Sequence, residues 1–164
     1  MLTASILTIS DTRSAGSRAD TTTAMMAEIL GDAGFEIVET RLVPDEFDEI
    51  AGAITELAAG AQLVVTSGGT GLAPRDVTPE ATRSVIDREA PGIAEAMRAE
   101  TAKIQPLAWL SRAVAGQRGT TLVVNLPGNP KAVRECLDVL LPMLPHAIKT
   151  STGGGDGTHH AMQG

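Results

Sequence analysis

Apolar and polar positions along the chain follow two rhythms, and the switches between them mark out its elements. "ASILTI" (Ala4–Ile9) is a short, nearly continuous apolar run, the pattern of a strand buried on both faces. "TTTAMMAEILGDAG" changes to helical spacing, with Asp20 placed to cap it, Met26, Ile29 and Leu30 on one face, and Gly34 at its stop. "FEIVETRLV" returns to alternation as a second strand, and a helix from Glu46 to Ala58 carries Ile50, Ile54 and Leu57 on one stripe. "AQLVVT" (Ala61–Thr66) is the third strand. Thr78 is placed to cap the next helix with Pro79 at its first position, and helix is predicted again through "PGIAEAMRAETA". "LAWLSRAVAGQRG" has no clear period and reads as irregular chain with a short strand. "TTLVVNL" is the last strand; Pro130 then opens a helix to about Leu141, and Pro142 and Pro145 kink or end it.

This alternation predicts an α/β sandwich, a mostly parallel sheet with helices on both faces and room for an antiparallel edge strand. A chain of 164 residues is most simply one domain, here residues 1–150. Residues Ser151–Gly164, "STGGGDGTHHAMQG", lack apolar periodicity and are expected to form a flexible tail, in which His159 and His160 are weak metal candidates.

Charge and composition remove several functions. Acidic residues outnumber basic ones 20 to 13, giving a net charge of −7, which argues against a nucleic-acid-binding surface. With two Phe, one Trp and no Tyr, a stacking platform for single strands is also absent. No apolar run is long enough to span a membrane, and the N-terminus reads as a strand rather than a secretory signal. The single cysteine, Cys136, shares a helical stripe with Val133, Leu137 and Leu140, so it reads as a core residue. No internal disulfide can form, and a cytoplasmic location is expected.

Ligands of parallel sheets bind beyond the carboxyl ends of the strands. Four such ends here carry polar or glycine-rich loops: Ser10-Asp11, Pro44-Asp45-Glu46, Ser67-Gly68-Gly69-Thr70-Gly71 and Pro127-Gly128-Asn129-Pro130. In a parallel sheet all four emerge on one rim. The glycines allow positive φ and a close backbone approach to an anion, to which Ser67 and Thr70 add hydroxyl donors. The pattern is neither a Walker A loop nor a dinucleotide fingerprint. Asp76 has two readings, an ion pair with Arg75 or a ligand for Mg²⁺ beside phosphates in the cradle. Asp45 is placed to cap the helix starting at Glu46, and Asn129 with Pro130 forms a helix start that doubles as an anion site. No catalytic His or Cys and no nucleophile elbow is in position, so phosphoryl or nucleotidyl transfer fits better than acyl transfer.

The blocks "ISDTRSAGSRAD", "RLVPDEFDEI", "TSGGTGLAPRDVTPEAT", "WLSRAVAGQRG" and "NLPGNPKAV" together resemble the molybdopterin-binding proteins of molybdenum-cofactor biosynthesis, the MogA/MoaB group. The resemblance runs from Ile6 to Ile148. It implies a three-layer α/β/α fold, assembly as a homotrimer, and molybdopterin as substrate. In the adenylyltransferase members the terminal phosphate of molybdopterin is joined to the AMP part of Mg-ATP and pyrophosphate is released; the product would pass to a molybdate-inserting protein. A non-catalytic pterin-binding or scaffold role is the alternative within the same family. Carried over by motif, Asp45 and Asp76 are the two functional carboxylates, with Mg²⁺ held by Asp76 and either Asp45 or Glu80. Ser10, Asp11, the run Ser67, Gly68, Gly69, Thr70 and Gly71, and the run Pro127, Gly128, Asn129 and Pro130 line the nucleotide and pterin pocket; Ser111 matches a further polar position. Arg75 and Lys131 are candidates for charge compensation.

Overall fold

The computed structural model describes residues 1–154. Most of the expected tail, including His159 and His160, lies outside the described residues. The elements in order are β1 (Leu2–Ile9), a single turn α1 (Asp11–Ser14), α2 (Thr22–Asp32), β2 (Phe35–Val43), α3 (Phe47–Gly60), β3 (Leu63–Ser67), α4 (Thr78–Val85), β4 (Arg88–Glu89), α5 (Pro91–Ala102), a 3-10 turn (Pro106–Leu110), β5 (Ala115–Arg118), β6 (Thr121–Leu126), α6 (Pro130–Leu140) and α7 (Leu144–Ser151). The last helix takes in Ser151, one residue past the boundary expected from composition, and Gln117 Nε2 donates to its hydroxyl at 2.7 Å.

The six strands lie in the order β2-β1-β3-β6-β5-β4. β2, β1, β3 and β6 are mutually parallel, while β5 and β4 run antiparallel at one edge. The chain ends of the four parallel strands therefore share one rim, which is what brings their loops together.

Alternation along each strand sorts side chains into two cores. Ala4, Ile6, Leu63, Val65, Leu122 and Val124 face α2, α5, α6 and α7. Leu7, Ile9, Val64 and Val123 face α3 and α4, where they meet Ile50, Ile54, Leu57 and Ala81. The protein is thus three layers; of the stripe read from spacing on α2, Met26 and Leu30 are buried and Ile29 packs partly buried against the same core, and the α3 stripe is buried. Each fully buried aliphatic side chain of this kind contributes about 1.5–3 kcal/mol. Cys136 is part of the first core, and burial, with Glu135 adding to it, pushes its thiol up to about 12, so it is no nucleophile.

The helix starts depart from expectation in an informative way. Asn129 caps α6, accepting from the N–H groups of Lys131 (2.9 Å) and Ala132 (3.3 Å). Asp20 accepts from the Thr23 N–H at 3.2 Å, one residue before the formal cap of α2. Asp45 does not cap α3, and Thr78 does not cap α4. The Asp45 carboxylate is drawn to the Asp11 N–H, and the Thr78 hydroxyl donates to the Gly68 carbonyl at 2.9 Å. In both cases a tertiary partner outcompetes the local one.

One buried polar side chain ties the sheet to α4 near the loop rim. Asn125, fully buried on β6, accepts from the Val114 N–H (3.1 Å) and donates to the hydroxyls of Thr66 (3.0 Å) and Thr82 (2.9 Å). Removing it strands three buried groups at once. Asn125→Ala should destabilise the fold by on the order of 3 kcal/mol in urea unfolding; a loss under about 0.5 kcal/mol, the usual scale of surface changes, would contradict this accounting.

Candidate active site

Beyond the carboxyl ends of β1, β3 and β6 lies a polar cleft of about 320 Å³, lined by Ser10, Arg13, Arg18, Asp45, Gly68, Gly69, Asp76, Gly128, Asn129 and Pro130, with Ile9 at its base. Eight residues singled out in the sequence meet here: Ser10, Asp45, Gly68, Gly69, Asp76, Gly128, Asn129 and Pro130. They come from four loops separated by up to 120 positions (Pro130 minus Ser10).

The glycine loop is built by close approach. Gly68 and Gly69 have φ of +104° and +69°. A Cβ on Gly68 would collide with the Ile9 carbonyl, and one on Gly69 with the Thr78 hydroxyl. The Gly68 N–H donates to the Leu126 carbonyl at 3.1 Å, so it is not free for an anion. The Gly69 N–H, in contrast, has no protein acceptor among the described residues. Ser67, expected to offer its hydroxyl, is fully buried and donates to the Pro127 carbonyl at 2.8 Å. Its role is to tie two loops of the site together. Thr70 and Gly71 lie just behind the cleft wall, where the Arg112 N–H donates to the Thr70 carbonyl (2.8 Å) and Arg112 Nε to that of Gly71 (2.7 Å).

Arg112 was not singled out from sequence, yet it straps this wall. Besides Gly71 it donates to the Asp76 carbonyl at 2.7 Å and to both Glu80 oxygens, at 2.6 and 3.0 Å. Glu80, expected as a metal ligand, is therefore an ion-pair partner outside the cleft lining. Arg75 likewise does not pair with Asp76. It donates to Asp11 through Nε (2.7 Å) and through Nη2 (3.0 Å), and to Glu46 at 2.8 Å.

Asp11 and Asp45 clasp each other's backbone: the Asp11 N–H donates to Asp45 Oδ2 at 2.9 Å, and the Asp45 N–H to Asp11 Oδ1 at 3.0 Å. The Arg75 hydrogen bonds hold the exposed Asp11 carboxyl below its ordinary range. Asp45 is shifted the other way. Burial is the main cause, with the charges of Asp11 and Asp76 adding to it. Asp76 lines the same cleft as Asp45 and is anchored by the Ala73 N–H donating to Oδ2 at 3.1 Å. Among the described residues no three His, Cys, Asp or Glu side chains gather as a metal cage. Two hard carboxylates at one cleft nevertheless fit Mg²⁺, which is commonly held by one or two carboxylates with substrate phosphates filling other positions.

A second cavity of about 440 Å³ adjoins the first and shares Asn129 with it. It is mainly apolar, with Ala94, Met97, Leu107, Ala113 and Cys136 in its wall and Ser111, Arg98 and Lys131 as polar members. Ser111 and Pro127 thus belong to this cavity rather than to the cleft.

Fold and rim define a class, an α/β protein whose glycine loop and paired carboxylates converge at the strand ends. A family profile described as a probable molybdopterin binding domain matches residues 5–146. The chain belongs to that family. It is 40% identical over 152 residues to a molybdopterin adenylyltransferase of Helicobacter pylori, covering 90% of this chain and 86% of that protein. To the Escherichia coli molybdopterin adenylyltransferase it is 44% identical over 138 residues, 81% of this chain and 70% of that one. It also matches the molybdenum cofactor synthesis protein cinnamon of Drosophila melanogaster at 39% identity, where it spans only about a quarter of that protein's length. Among solved structures, the molybdopterin biosynthesis enzyme MoaB of Thermus thermophilus superposes with a TM-score of 0.88 at 50% identity, covering 93% of this chain and 98% of that one.

The raised Asp45 carboxyl has a consequence for stability. Below its ordinary value near 3.8, folded and unfolded states both carry the proton and burial is not penalised. As the pH rises through the higher folded-state value, the native state must bury a charge and loses stability relative to the unfolded chain. Asparagine can accept the same Asp11 N–H without that charge. Asp45→Asn should therefore melt no lower than wild type at pH 7, with any advantage vanishing below about pH 4; a clearly lower Tm at pH 7 would show that the carboxylate anchors the fold.

Proposed function

We propose that the protein is a molybdopterin adenylyltransferase of molybdenum-cofactor biosynthesis, joining the terminal phosphate of molybdopterin to the AMP part of ATP and releasing pyrophosphate. The observation that carries the reading is that Asp45 and Asp76 line one glycine-loop cleft, which shares Asn129 with an adjoining apolar cavity. Its two compartments suit the two ends of the reaction, a phosphate-rich polar side and a pterin-sized apolar side. The adenylyltransferase relatives, at 40–44% identity across most of the chain, support the same activity.

In this reaction a phosphate oxygen of molybdopterin forms a bond to the α-phosphorus of ATP, and the bond from that phosphorus to the bridging oxygen breaks. A phosphate monoester is already anionic near neutral pH and needs no general base, consistent with a cleft lined, among the described residues, by no His or Cys. The difficulty is electrostatic: two anions must be held in line against their repulsion. The Gly69 N–H, without a protein acceptor among the described residues, orients phosphate oxygens. Asp76, with Asp45 beside it, would hold Mg²⁺, which supplies charge neutralisation at the phosphates when bound. Asp11 and Arg75 fix Asp45 from behind. Lys131, at the cavity wall, is largely exposed and positioned to meet a ligand anion.

A trimer and a cytoplasmic location are part of the proposal. Ile104, Leu107, Trp109 and Leu110 are all more than half exposed on one short segment, which supports burial against further copies of the chain. Among the described residues no helix is long and apolar enough to cross a membrane. Sedimentation equilibrium should give three times the chain mass; a monomer at micromolar concentration would remove the trimer.

Purified protein mixed with molybdopterin and Mg-ATP should yield adenylated molybdopterin and pyrophosphate. Asp76→Asn should lower turnover by about a hundredfold or more while the Tm stays within a few degrees, as expected of lost electrostatic stabilisation. Pterin binding without product, beside an active relative as control, would instead make the chain a non-catalytic binding protein.

A further inference from the structure

Arg13 is the one cationic side chain of the cleft that is buried: it is 8% exposed and lines the wall with Asp45, Asp76 and the Gly128–Pro130 loop. Its Nε has no hydrogen-bond partner among the described residues. A guanidinium is always charged and carries five N–H donors, and a buried Nε–H left without an acceptor is costly unless a partner arrives. The nearby carboxylates do not serve. Asp11 is engaged by Arg75, Asp45 accepts from the Asp11 N–H and Asp76 from the Ala73 N–H.

The backbone holds Arg13 in this place by design of the turn. Ser10 caps α1 by accepting the Arg13 N–H at 3.2 Å, and the Arg13 carbonyl accepts from Gly16, whose φ is +75°. The turn thus leaves the side chain in the cleft wall that the Gly128–Pro130 loop also lines. Arg18 reaches the same cleft from an exposed position. The cleft of this chain of net charge −7 thus carries two arginines in its lining.

We propose that Arg13 is a binding and specificity residue for a phosphate group, its guanidinium fork completed by phosphate oxygens of the ligand. The geometry of the fork matches phosphate better than a point charge does. This rests on the function proposed above and assigns to a particular side chain the charge compensation that two converging anions require. The phosphate belongs either to the monoester of molybdopterin or to the chain of ATP.

The test compares wild type, Arg13→Lys and Arg13→Met as full-length protein. Binding of Mg-ATP, of inorganic pyrophosphate and of molybdopterin is measured separately by calorimetry, beside the Tm of each unliganded protein. Arg13→Met should bind at least one of these ligands about tenfold to a hundredfold more weakly, the scale of a lost charged hydrogen bond. Arg13→Lys, which keeps the charge and loses the fork, should fall between. The unliganded Arg13→Met protein should melt as high as wild type or a few degrees higher, because a buried donor without an acceptor has been removed. A loss confined to molybdopterin places the guanidinium on the monoester, and a loss confined to Mg-ATP and pyrophosphate places it on the nucleotide. Wild-type affinity in Arg13→Met for all three ligands overturns the proposal, and so does failure of that variant to fold, since Arg13 would then be a structural residue. Binding by wild type without product formation would defeat the catalytic reading alone and leave the comparison of variants intact.

Discussion

Everything at the rim depends on the close approach of backbone at Gly68. Its missing side chain lets the end of β3 lie against the Ile9 carbonyl at the end of β1. Its N–H is bound to Leu126 at the end of β6, and its carbonyl accepts the Thr78 hydroxyl from α4. The Gly128 position packs against its Cα, where an added Cβ would sit at 3.4 Å. Three strands, a helix and the last loop are therefore gathered at one residue in a conformation that strongly favours glycine. A side chain here would push β1 and β3 apart and with them Asp45, Asp76 and Asn129. The site is a product of that contact more than of any single functional side chain.

Much of the architecture was legible in the sequence because it is governed by local periodicity. The span Phe35–Val43, the stripes on α2 and α3, and the Asn129-Pro130 helix start are all fixed by residues within a few positions of one another. The four loops could be placed on one rim because parallel topology follows from β–α alternation. What local rules misjudged were polar side chains with distant partners. Asp45 looks like a helix cap until Asp11, 34 residues earlier, supplies a better donor. Ser67 looks like a ligand donor until Pro127, 60 residues later, takes its hydroxyl. Glu80 looks like a metal ligand until Arg112 claims it from 32 residues away. Arg13 and Arg112 went unremarked for a related reason: an arginine in a polar loop is ordinarily solvated, and only burial or multiple carbonyl partners reveal otherwise. The available signal was position, since both lie in sequence blocks that carry the family resemblance.

On the proposed function, a chain of net negative charge has to handle anionic substrates. Long-range charge opposes binding, but the cleft presents short-range dipoles and two arginines where they matter, and keeps its carboxylates oriented by backbone N–H groups and by Arg75. Burial raises Asp45 while the Arg75 hydrogen bonds lower Asp11, so two carboxyls clasping each other's backbone are tuned apart. The adjoining apolar cavity gives the remaining part of a large substrate somewhere to bind without competing for those charges.

The central claim is that the phosphates sit at the Gly68–Gly128 rim. Backbone amide NMR during titration with Mg-ATP tests it most directly. The account predicts the largest shifts at Gly69, Asp76, Asn129 and Lys131, with the sheet's opposite edge unchanged. Shifts concentrated instead at the separate cavity of Thr55, Asp87 and Arg118, with Gly69 and Asn129 still, would contradict it.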